Sequence, residues 1–143
     1  MKQRRGQAKD TGAIAVYLFY RSGEPLVALA AGRNLPIEAE QLEQVLSVVG
    51  NFVETSVPGS RGYASTAMRY GEFGIVAVRG EFVIAAAMYD GLVHDQMKAD
   101  LLRKVQDFEE RYWKDLATWE AATKLSEPAT GELSKLLRTK SPG

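Results

Sequence analysis

The spacing of apolar positions along the chain switches between two periods, and the switches predict its elements. Residues 13–20, Ala-Ile-Ala-Val-Tyr-Leu-Phe-Tyr, form a β-branched and aromatic run that ends at Arg21-Ser22-Gly23-Glu24. A second apolar run follows at 25–30, and two such runs around a short Gly-containing loop predict a hairpin. Pro25 has no N–H to give to a ladder, so its strand belongs at a sheet edge. The period then changes. Pro36, Glu38 and Glu40 suit a first helical turn, and Leu42, Val45, Leu46, Val49, Phe52 and Val53 recur at steps of three and four. These predict an amphipathic helix over 37–55, roughly 28 Å long. Pro58-Gly59 stops it.

Three strands are expected next, at 62–70, 73–78 and 82–89, separated by turns at Gly71-Glu72 and Arg79-Gly80-Glu81. The last is apolar on both faces, which places it in mid-sheet with both sides covered. A long helix from 94 to 118 carries Met97, Leu101, Val105, Phe108, Tyr112, Leu116 and Trp119 as one stripe. The order is ββαβββα. Setting the first and last strands side by side at the centre makes the two most apolar runs neighbours. The fold class is therefore α+β, a five-stranded antiparallel sheet in the order 2-1-5-4-3 with helices on both faces. Strands 25–30 and 62–70 become its edges. The domain reading is a flexible basic tail at 1–11, a single domain at 12–120 and a polar C-terminal tail at 121–143.

Composition narrows the class. Of 143 residues, 45% are apolar and 25% charged, which suits one domain with its own core. Lys+Arg 18 against Asp+Glu 18 gives zero net charge, unlike the basic excess of a nucleic-acid-binding domain. There is no cysteine, so disulfides, thiolate nucleophiles and cysteine-ligated metal sites are excluded. No apolar run approaches the roughly 20 residues that cross a bilayer. A cytoplasmic location is expected, with at most peripheral membrane contact through Lys2, Arg4, Arg5 and Lys9 of the N-terminal tail.

Candidate chemistry adds little. His94 is the single histidine, beside Asp95 at the expected start of the last helix, and reads as a surface residue. Glu38, Glu40 and Glu43, like Glu109 and Glu110, read as solvated helix faces with partners such as Lys104 or Lys114. Ser60, Ser65 and Thr66 have no base nearby in sequence, and Gly71-Glu72-Phe73-Gly74 lacks the rest of a phosphate loop. No catalytic residue, cofactor or metal ligand is assigned, and the chain reads as a non-enzyme. Partner contacts are better candidates. Tyr112 and Trp119 fall on the core stripe, whereas Trp113 is turned from it by about 100° and should be exposed. Tyr63, Arg69 and Tyr70 lie on the expected edge strand, where an unpaired ladder can take a partner. That edge and helix 37–55 are the surfaces expected to form a homodimer.

The order of elements, with Val16-Tyr17-Leu18-Phe19-Tyr20-Arg21-Ser22-Gly23-Glu24-Pro25-Leu26 as opening hairpin, resembles the roadblock and longin-like superfamily. Residues 71–91 look like its closing hairpin, and the run from Phe108 to Trp119 like a helix ending of archaeal longin-like modules. The resemblance implies a scaffold that binds or regulates a small Ras-like GTPase or another protein, often as a dimer. A second class stays open, a small-molecule sensor of profilin- or PAS-like type. There, Ala85, Ala86 and Ala87 would line a cavity.

Overall fold

The structure, a computed structural model, describes residues 12–32, 34–49, 53–54, 62–90 and 95–137. Strand β1 (Ala15–Tyr20) is buried along its whole length. It lies between β2 (Pro25–Ala30) and β6 (Val83–Asp90), and the sheet continues through β5 (Phe73–Arg79) and β4 (Ala64–Tyr70) to β3 (Val53–Glu54). Every neighbouring pair is antiparallel. The five long strands thus follow the expected order 2-1-5-4-3, with the two most apolar ones paired from Ala15–Met88 to Tyr20–Val83. Pro25 opens the edge strand β2, and the register slips by one residue where it meets Phe19.

The first helix is shorter than its periodicity predicts. It is α1, Ala39–Val49, rather than 37–55. Val53, which continues the three-and-four spacing, instead pairs with Ser65 as half of the two-residue β3. A single apolar residue in phase with a helix cannot tell a further turn from a short strand, and here ladder bonding to β4 wins. Phe52 and the Pro58-Gly59 stop lie outside the described residues, as does His94.

The strand alternation builds two cores. On one face Ala15, Tyr17, Phe19, Ile75, Ala77, Ala86 and Met88 meet Leu42 and Leu46 of α1. On the other, Val16, Leu18, Val76, Val78, Val83, Ala85 and Ala87 meet Leu101, Val105 and Phe108 of α2 (Asp95–Leu116). The three alanines are fully buried. They sit at the contact between sheet and helices, where small side chains let the layers close.

The largest departure from the sequence reading is at the C-terminus. Residues expected in a polar tail form α3 (Trp119–Ala122), a 3-10 turn (Thr123–Leu125), α4 (Ser126–Leu133) and a second 3-10 turn (Ser134–Leu136). Ala122, Leu125, Ala129, Leu133 and Leu136 are buried in the same core as Leu101. The reason is coverage. Helix α2 packs on β5 and β6, so the adjoining face of β1 and β2 needs its own cover, and α4 lies against β2. Ser126 Oγ donates to the Leu26 carbonyl at 3.2 Å. Lys104 Nζ reaches Glu132 at 3.2 Å and clips α4 to α2. Ala13 N–H donates to the Leu136 carbonyl at 3.0 Å, and Ala13 forms a parallel bridge with Leu137.

Candidate functional site

Helix α2 carries a charged residue into the core. Leu102, Val105, Glu109 and Leu116 are all buried, at helical steps of three, four and seven. Glu109 is 4% exposed, so reading the 109–110 pair as a solvated face fails for its first member. Isolated burial of a carboxylate is expensive unless its lone pairs are filled. Here they are. Oε1 accepts from the Tyr63 hydroxyl at 2.6 Å and the Glu81 N–H at 3.1 Å. Oε2 accepts from the N–H groups of Phe82 at 2.7 Å and Val83 at 3.1 Å. Three successive backbone N–H groups of the β5–β6 turn converge on one anion, a main-chain nest filled by a side chain of the same protein.

This arrangement fixes three elements to one another: α2, the β5–β6 turn and the residue preceding β4. Gly80 completes it, because a β-carbon there would stand 2.5 Å from Glu109 Oε2. Tyr63 feels the same carboxylate. Burial first, then its hydrogen bond to Glu109 and the nearby negative charge, push its phenol well above the usual range. With four donors engaged, Glu109 has no acceptor capacity left for a substrate proton, so its role is architectural.

Beside this latch an open groove of about 410 Å³ is walled by Tyr63, Phe82 and Trp113. Glu81, Asp107 and Glu110 stand around it, and Glu109 and Gln106 complete its lining. Trp113 is 54% exposed despite its size. Tyr63 and Phe82 are half-buried and pack against the core. Phe82 also receives Arg21, whose guanidinium carbon lies 5.5 Å from the ring centroids of both Phe82 and Tyr20. Among the described residues no group of three or more His, Asp or Glu side chains is placed to hold a metal ion.

The four residues singled out in the sequence fall into two pairs. Tyr63 and Trp113 meet at the groove. Arg69 and Tyr70 lie at the other end of β4, roughly 20 Å away at about 3.3 Å per residue. There Arg69 Nη2 donates to the Glu72 carbonyl at 2.9 Å, and Tyr70 is 41% exposed. Strand β3 covers β4 only opposite Ala64 and Ser65. Among the described residues, 66–70 therefore have no strand on their outer side. Trp119, expected in the core, instead begins α3 behind the Thr118 cap and packs its ring 5.4 Å from that of Tyr20. Within α2 the backbone leaves helical geometry at Tyr112 (φ −120°, ψ 22°), seven residues before Trp119.

Sequence reasoning missed Glu109, Phe82, Glu81 and Asp107. The available signal was positional: Glu109 occupies a core-facing step of the α2 stripe, where an unpartnered carboxylate would not be tolerated.

No protein-family model and no curated protein matches the chain. Solved structures with a similar course include profilin II of Acanthamoeba castellanii, at 11% identity over 73% of this chain and 87% of that one, TM-score 0.39. Schizosaccharomyces pombe profilin matches at 16% identity over 73% and 88%, TM-score 0.41. Myxococcus xanthus MglB matches at 14% identity over 87% and 89%, TM-score 0.40. At these identities the likeness concerns the path of the chain and does not extend to function.

Proposed function

We propose that the chain is a non-enzymatic protein-interaction platform whose partner is a small Ras-like GTPase. The observation that carries the platform reading is Trp113, a large aromatic more than half exposed on the rim of a groove whose walls are held rigid by the Glu109 latch. Exposed tryptophans beside preformed pockets are the residues that anchor protein partners. The groove's one buried carboxylate is taken up by the Tyr63 hydroxyl and three backbone N–H groups. The GTPase as partner follows from the roadblock and longin-like resemblance of the strand and helix order.

The test is recovery of partners by the tagged full chain, with identification by mass spectrometry. A small GTPase at near-stoichiometric yield, reduced by Trp113→Ala, supports the reading. Equal recovery by wild type and Trp113→Ala removes the groove from it, and recovery of the bait alone removes the platform.

Self-association is a second reading, favoured by a separate surface. Val48 on the outer side of α1 is 86% exposed, and among the described residues no strand pairs with the outer side of β4 at 66–70. Sedimentation of wild type and Val48→Glu checks it: a dimer in the first and a monomer in the second is the expected pair of results.

A further inference from the structure

The groove has a chemical bias that the platform reading does not use. We propose that it is a docking slot for an arginine- or lysine-bearing segment of a partner protein; this rests on the platform reading and names the chemistry of what it holds. Charge is the first argument. The whole chain is neutral, 18 basic against 18 acidic residues, yet among the described residues the lining contains four carboxylates and no Lys, Arg or His. Glu81, Asp107 and Glu110 are exposed and free to meet a cation at the rim. Aromatic faces are the second. Tyr63, Phe82 and Trp113 present ring quadrupoles that attract a cation and its aliphatic stem. The chain itself shows the match, since Arg21 already lies against Phe82 and Lys114 Nζ stands 5.6 Å from the Trp113 centroid.

Magnitudes decide the size of the occupant. A cation against an exposed ring and an ion pair at a solvated rim are each weak contacts. One amine touching the ring and two carboxylates would sum to weaker than millimolar binding. A metabolite amine would scarcely be held. A peptide segment that adds a second basic residue and backbone contacts along the open groove reaches useful affinity. An apolar segment is disfavoured because it would strip water from the carboxylates without pairing them.

The experiment uses the full chain carrying Trp119→Phe, so that emission reports Trp113 alone, and three probes: pentaarginine, pentalysine and pentaglutamine. Both basic peptides are expected to change the Trp113 emission, with affinity that falls as salt rises, and pentaglutamine is not. The double variant Asp107→Lys/Glu110→Lys should bind them about tenfold more weakly, mainly through slower association. A matched reversal elsewhere, Glu40→Lys/Glu72→Lys, should leave binding within about twofold. Equal binding of pentaglutamine, or equal weakening by the two reversals, overturns the proposal. So does unchanged partner recovery by Asp107→Lys/Glu110→Lys, an outcome that leaves the platform itself standing. Failure of wild type to recover any partner removes the platform instead, and the peptide titration then judges the slot alone.

Discussion

The carboxylate of Glu109 occupies the space that a β-carbon on Gly80 would need. The two positions are therefore one choice: a buried acid on α2 requires a bare backbone at the β5–β6 turn. Gly80→Ala should cost roughly 2 kcal/mol by overpacking. Glu109→Ala should cost about 3 kcal/mol, because three backbone N–H groups and the Tyr63 hydroxyl lose their acceptor. The double variant should cost clearly less than the sum, since the added methyl then enters the space the carboxylate vacates. Urea unfolding of the four proteins measures the cycle, and simple additivity would contradict the shared space.

Stability should fall in alkali over a defined window. Tyr17 is fully buried and donates its hydroxyl to the Ile37 carbonyl at 2.7 Å. Burial, with Glu38 nearby, pushes its phenol up to about 12 from 10.0. Between those values the unfolded chain has released a proton that the native chain still holds. Stability therefore declines as pH rises, by about 1.4 kcal/mol per pH unit for this group, and is unaffected by it below pH 10. Tyr63 and Tyr89 shift in the same direction and steepen the fall. Tyr17→Phe should flatten it, as read from urea midpoints across the window.

Leu125 and Leu133 test the C-terminal cover. Each is nearly fully buried against the sheet face that α2 leaves open. Replacement by Ala should cost about 2–4 kcal/mol at either position. A chain ending at residue 120 should lose its cooperative thermal transition, because the face of β1 and β2 would be left bare to water.

Trp113→Ala should behave differently. With 54% of the residue already in solvent, its stability effect should stay within about 0.5 kcal/mol. A loss of partner recovery in that variant then reads as a lost contact and not as unfolding, with a thermal melt as the control.

How much of this was legible in the sequence depended on the kind of signal. The central strands announced themselves because β1, and β6 up to its final Asp90, are apolar at every position, and only mid-sheet strands covered on both faces need that. The C-terminal cover was obscured by Ser126, Pro128 and Gly131, residues that signal a loop. Its apolar positions 122, 125, 129, 133 and 136 nonetheless keep a helical spacing. Pro128 fits because it falls in the first turn of α4, where its missing N–H has no partner to lose. The groove was half legible. Trp113 stood out by its angle on the helix, but Tyr63 and Glu109 are 46 positions apart, and only the folded sheet brings them together.

The bridge between Ala13 and Leu137 closes the path of the described fold into a ring. Start and finish are neighbours, so the order in which the strands are synthesised is not built into the architecture. A circular permutant that joins the two by a short linker and opens at the exposed Gly71-Glu72 turn would keep every strand partner it now has.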